Sequence, residues 1–278
     1  MADVENREKK KVTELPRGRD GRRELRKKKK KRRGLRLFFV VAVPVIILSA
    51  AICGSVAFFF RVEEVTVSGE SRYSSEEILE AAAIEQGENL VLLDGGAVED
   101  AIREEMPYLG TVKVKKSLPS KVEIQIEETY PAKIVYYNGS YYLVNPEDKV
   151  LERVESTEGL HLPIYKFSEL GSEPEPGKTL CFLDEISKKI YIDITNVLSD
   201  NNILESINVI DLSERIALKL QVGDRFIIDL GDYLDLDTKL NFAKNIMQRL
   251  EEGEKGTIDV SNNKKASFLK EEQITPLL

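Results

Sequence analysis

Apolar residues follow three rhythms along this chain: an unbroken run, strict alternation, and a return every three or four positions. The unbroken run is Leu37 to Phe60, 24 consecutive residues without a charge. As a helix it would be about 36 Å long at ~1.5 Å per residue, enough to cross a hydrocarbon core of ~30 Å with some tilt. It is too long for the apolar region of a cleaved signal peptide. Cys53 follows apolar residues as a lipid-modified cysteine does, but Ile52 stands where such a site needs a small residue. The run is therefore expected to be a single transmembrane helix over residues 37–60.

The other two rhythms fill the rest of the chain. Arg61 to Ser68 alternates and predicts a strand. Ser74 with Glu77 has the spacing of a capping box, and the helix it starts buries Ile78, Leu79 and Ala82, with Gly87 marking the end. Asp94 can cap a second helix running to Met106, where Pro107 stops it. Thr111 to Lys116 and Lys121 to Glu127 alternate around the turn Leu118-Pro119-Ser120. The order strand, helix, helix, strand, strand predicts a small α+β domain over residues 61–129, a sheet with both helices on one face.

A second, mainly-β domain with helices is expected over residues 130–268. Asn138-Gly139 and Gly223-Asp224 mark hairpins between Ala132–Tyr137 and Ser140–Val144, and between Ile216–Val222 and Arg225–Leu230. Further strands are predicted over Lys149–Val154, Leu162–Phe167 and Ile207–Leu212. Helices are predicted over Leu183–Leu198 and Thr238–Leu250. Thr257–Val260 and Lys265–Phe268 read as a closing strand or hairpin, and residues 269–278 as a loose tail.

Charge sharpens the picture. Residues 1–36 carry 17 Lys/Arg against 6 Asp/Glu, a net of +11, while the remainder carries 24 against 42, a net of −18. A basic lead-in places the N-terminus in the cytoplasm and everything after Arg61 outside. The tail lacks aromatic residues to stack on bases, so attraction to anionic inner-leaflet lipids is expected rather than nucleic-acid binding. Its composition predicts disorder. The expected ectodomain has one cysteine, Cys181, which rules out an internal disulfide there; it is read as a small buried apolar residue.

Each residue group that could carry catalysis has a plainer reading. Gly177-Lys178-Thr179 ends like a phosphate-binding loop, but Ser172 stands where its first glycine belongs. Ser261 and Lys264 have the S-x-x-K spacing without the two further motifs such enzymes need. Asp229, Asp232, Asp235 and Asp237 lack the glycine and closing glutamate of a calcium loop and fit a turn before a helix N-terminus. His161 is the only histidine, too few for a usual zinc site. The sequence thus predicts a protein without a catalytic site, metal or cofactor.

Several segments in this order resemble the FtsQ/DivIB family of bacterial cell-division proteins. They are the basic tail and single span, then FRVEEVTVSGESRYSSEEI through GENLVLLD to YLGTVKVKKSLPSKVEIQIEETYPAKI, then GSYYLVNPEDKVLE, RFIIDLGDYLDLDTKL and TIDVSNN. The resemblance covers the chain from the tail to about Phe268. It implies that residues 61–129 form a POTRA domain and residues 130–268 the family's β domain. It implies a non-enzymatic divisome scaffold at the septum. Such a scaffold joins the single-span proteins FtsB/DivIC and FtsL and helps control the synthases of septal peptidoglycan. A partner's strand would then add to the sheet over Thr257, Ile258, Asp259, Val260, Ser261, Asn262, Lys265, Ala266, Ser267 and Phe268. A POTRA domain alone does not fix function, and a membrane-anchored secretion or assembly component is the competing reading.

Overall fold

The computed structural model describes residues 38–51, 54–55, 59–201, 203–262 and 264–278. It divides into two units, residues 1–61 and Val62–Leu278. In the first, residues 38–51 are helical. Among the described residues no helix is long and apolar enough to cross a membrane. Leu37, residues 52–53 and residues 56–58 of the expected span, and the whole basic tail, lie outside the described residues.

Among its described residues the second unit contains two sheets. The smaller is built from β1 (Glu64–Ser68), β2 (Leu109–Ser117) and β3 (Lys121–Glu128), with helices α1 (Ser75–Ala82) and α2 (Gly95–Glu105) between β1 and β2. β3 lies in the centre, parallel to β1 and antiparallel to β2. Its alternation is read directly in the packing, for Val122, Ile124 and Ile126 are buried. The capping box forms: the Ser74 hydroxyl oxygen accepts from the Glu77 N–H, and the Glu77 carboxylate accepts the Ser74 N–H at 2.7 Å. Asp94 accepts the N–H groups of Gly96 and Ala97 and starts α2.

The larger sheet has nine strands: β4 (Lys133–Tyr137), β5 (Ser140–Val144), β6 (Val150–Val154), β7 (Ile164–Lys166), β8 (Ile207–Asp211), β9 (Leu218–Val222), β10 (Phe226–Gly231), β11 (Lys255–Asn262) and β12 (Lys265–Glu271). Their spatial order is β12-β11-β10-β9-β8-β7-β4-β5-β6. Helix α3 (Glu185–Asp200) links the parallel strands β7 and β8, and α4 (Leu236–Met247) links the parallel strands β10 and β11. Ile190, Ile194 and Leu198 of α3 and Leu240 and Ala243 of α4 share one core with Val135, Ile210, Leu220, Ile228 and Ile258 of the sheet. At the β4–β5 turn Asn138 and Gly139 have φ of +48° and +77°, the left-handed pair that a two-residue hairpin of this twist requires.

Several local expectations shift. β1 begins at Glu64 rather than Arg61, and α4 runs Leu236–Met247 rather than from Thr238. Cys181 is exposed rather than buried. β12 takes in residues 269–271, and the residues after it return along the sheet. The Leu277 N–H donates to Gln221 Oε1 at 3.0 Å and its carbonyl accepts from Lys166 Nζ at 2.8 Å.

The two sheets are joined through a mixed apolar and polar seam. Tyr108 packs with Ile134, Leu143 and Leu151, and its hydroxyl donates to Glu152 Oε1 at 2.7 Å. Burial and that carboxylate push the Tyr108 hydroxyl up to about 12. The Arg72 guanidinium lies 3.5 Å over the Tyr108 ring and also binds Glu128. Lys149 Nζ reaches across to the Leu109 carbonyl at 2.8 Å.

Candidate partner-binding edge

The nine-stranded sheet ends at β12, which pairs antiparallel with β11 on one side. The inner boundary of that edge follows from parity. The Gly256 N–H donates to the Arg225 carbonyl, toward β10. Main-chain groups alternate sides along a strand, so Thr257 and Asp259 face β12 and pair with Leu269 and Ser267. On β12 the groups of Ala266, Phe268 and Lys270 then point away from the sheet. Such a row is a template for a further strand.

The side chains suit this use. Phe268 is half-buried against Phe226, ring centroids 6.3 Å apart, and gives the edge an apolar foot. Leu269 is exposed on the other face. Lys264 and Lys265 are exposed beside them, and Lys270 pairs with Glu254 at 3.0 Å. Lysines are a common guard against unspecific pairing at an edge.

The ten sequence-predicted residues therefore separate into two groups. Thr257, Ile258, Asp259, Val260, Ser261 and Asn262 lie on β11, an interior strand held by β10 and β12, with Ile258 and Val260 fully buried. Lys265, Ala266, Ser267 and Phe268 lie on the edge strand itself. The edge strand runs on through Leu269 and Lys270, beyond the predicted bounds, and no alternation marks them, since both are exposed.

The other candidate motifs are absorbed by the fold. Gly177 lies against the end of α2 with φ of +88°, where an added Cβ would meet the Glu104 carbonyl oxygen at 2.1 Å. Its loop serves the seam between the sheets. Asp232 binds the buried Lys239 ammonium at 2.6 Å, which holds the Asp232 carboxyl below its ordinary value. Asp229 accepts the Gly231 N–H, and Asp235 opens α4 in a left-handed conformation. Ser261 donates its main-chain N–H to Asp259. His161 is exposed.

Residues 60–129 match the model of the FtsQ-type POTRA domain, the segment that here holds β1, α1, α2, β2 and β3. The chain is 30% identical to the cell division protein FtsQ of Anaeromyxobacter sp. strain K over 132 residues, 44% of each chain. It is 26% identical to the cell division protein DivIB of Clostridium botulinum strain Hall over 210 residues, 73% of this chain and 79% of that one. It is 24% identical to the cell division protein FtsQ of Corynebacterium glutamicum over 190 residues, 66% of this chain and 78% of the relative. The first match thus spans less than half of that relative's length, and the other two span nearly four fifths of theirs.

Proposed function

Because this chain is a relative of the FtsQ and DivIB cell division proteins and carries an FtsQ-type POTRA domain, we propose that it is a membrane-anchored, non-enzymatic scaffold of the division machinery. Its basic tail lies in the cytoplasm, residues 37–60 cross the membrane once, and Val62–Leu278 stands outside at the septum. There it joins single-span partners of the FtsB/DivIC and FtsL type and thereby influences septal peptidoglycan synthesis.

The observation that carries this reading is the unpaired outer edge of β12. A partner's extended segment gains main-chain hydrogen bonds there, with Phe268 on one face of the sheet and Leu269 on the other offering apolar contacts to its side chains. The six sequence-predicted residues on β11 act beneath the site, holding β12 in register.

The test uses proline, which removes a donor at one chosen position. Ala266→Pro and Lys270→Pro each delete an outward N–H and leave the β11–β12 ladder donors in place. Each is expected to remain folded and to capture an FtsB/DivIC-type partner roughly fivefold to tenfold more weakly, from about 1–1.5 kcal/mol per lost bond. Folded variants that capture the partner at full strength would sink the edge assignment. For the wider reading, a functional fluorescent fusion is expected to form a midcell band in dividing cells; a uniform membrane signal counts against it.

A further inference from the structure

The end of the POTRA domain where the chain arrives from the apolar run carries exposed apolar side chains on two adjoining loops. Leu92 is 79% exposed and Val91 48% exposed in the loop before α2, and Leu118 is 65% exposed in the β2–β3 turn. Single exposed apolar residues are ordinary on any surface. These three are gathered by hydrogen bonds around the first residues of the domain. The Val62 N–H donates to the Glu88 carbonyl and its own carbonyl accepts from Gly87, both at 2.8 Å. The Glu63 N–H donates to the Ser120 carbonyl at 2.9 Å. Both loops are thus tied to residues 62–63, and Phe60, the last residue of the apolar run, is two Cα steps from Val62, about 7.6 Å of chain.

We propose that this end of the POTRA domain rests in the outer interface of the membrane, with Val91, Leu92 and Leu118 inserted among lipid headgroups. The proposal rests on the single-span reading given above. Chain length sets the occupant: whatever the domain's tilt, so short a tether keeps this end beside the bilayer surface.

The polar groups at this end fit a low-water boundary. Asn89 Oδ1 accepts the N–H groups of Val91 at 2.9 Å and Leu92 at 3.2 Å, and the Leu93 N–H donates to the Asn89 carbonyl. Lys116 Nζ binds the Leu93 carbonyl. Main-chain groups already paired within the protein cost little to bring near lipid, whereas unpaired ones cost several kcal/mol.

Charge does not drive the contact. Lys121 is paired with Glu64 at 2.5 Å, Lys116 is committed to a carbonyl, and Lys115 stands across the β2–β3 ladder from Glu123, whose carboxylate its charge stabilises. Seating is therefore expected to be alike on neutral and anionic vesicles and to persist in high salt, unlike a polybasic contact.

The chain contains no tryptophan, so one introduced indole reports its own surroundings. Full-length chains with Leu92→Trp, Leu118→Trp or, as a reference, Ile216→Trp would be reconstituted into phosphatidylcholine vesicles with and without brominated acyl chains. Ile216 is 77% exposed in the loop before β9 of the other sheet. The indoles at 92 and 118 are expected to emit at shorter wavelength and be quenched by brominated lipid, and the one at 216 to be neither. Vesicle-bound chains with no quenching at 92 and 118 overturn the proposal and leave the membrane anchor intact. Equal quenching at all three positions also overturns it, since contact would not belong to this end. Chains that fail to float with the vesicles overturn the anchor itself, and the proposal with it.

Discussion

At the scale of single residues, two positions convert simple chemistry into measurable stability. Ser74 and Glu77 satisfy each other's backbone at the start of α1. Ser74→Ala loses the hydroxyl oxygen that accepts the Glu77 N–H and is expected to cost about 1 kcal/mol in a denaturant titration. Lys149 is the more unusual case. Its ammonium is buried at the seam with the Leu109 carbonyl as its acceptor, and burial, with the Arg103 charge nearby, pushes it down to about 8. An unfolded lysine keeps its proton to about 10.4. Between pH 8 and pH 10 the unfolded chain therefore binds a proton that the folded chain has released, and stability rises with pH. Tyr108 acts in the opposite sense but above pH 10, because its hydroxyl is pushed up to about 12. Lys149→Met is expected to abolish the earlier rise. Measured by denaturant titration, wild type should gain about 1–3 kcal/mol relative to the variant across that window. A constant difference would mean that the ammonium is not desolvated in solution.

At the scale of elements, what was legible in the sequence was what neighbours decide. Ser74–Glu77, Asp94, Asn138-Gly139 and Gly223-Asp224 act within a few residues, and each sits where its local chemistry places it. The alternation of Lys121–Glu127 likewise names its own buried face. What could not be read was which strands stand next to which. Thr257–Asn262 and Lys265–Phe268 look equally suited to an edge, but the crossover through α4 seats β11 beside β10 and leaves only β12 outside. Cys181 is also set by its surroundings and by no pattern of its own: it is exposed, although its sulfur lies beside Gly171. Gly177 combines both lessons. Its motif suggests phosphate chemistry, while its contact with Glu104, 73 positions earlier in the numbering, makes it a joint. Gly177→Ala must place a Cβ against a carbonyl oxygen at a positive φ, and is expected to cost about 1–3 kcal/mol of thermal or denaturant stability. A neutral result would show that the loop moves away from α2 without penalty.

At the scale of the molecule, the central question is whether the POTRA domain and the nine-stranded sheet behave as one body. If they do, the partner site proposed on β12 and the membrane contact proposed at Leu92 and Leu118 act on the same rigid lever. The seam argues that they do. Tyr108 is a buried aromatic that belongs to the smaller domain by sequence and to the larger by packing, among Ile134, Leu143 and Leu151. Its hydroxyl, the Lys149 ammonium and the Asn145 amide each cross the boundary, to Glu152, Leu109 and Thr129. Removing the Lys149 or Asn145 group takes the donor from an acceptor on a buried residue, Leu109 or Thr129, which is dearer than the bond was worth. A chain of Val62–Leu278 is therefore expected to unfold in one cooperative transition, with calorimetric and van't Hoff enthalpies equal. Tyr108→Ala removes the ring from the seam, leaves Glu152 without its donor, and is expected to cost roughly 3–5 kcal/mol. Most of that loss should fall on the coupling between the sheets, splitting the single calorimetric peak into two. Two peaks in the unsubstituted protein would show that the seam is too weak to couple them, and that any signal from β12 toward the membrane must travel by another route.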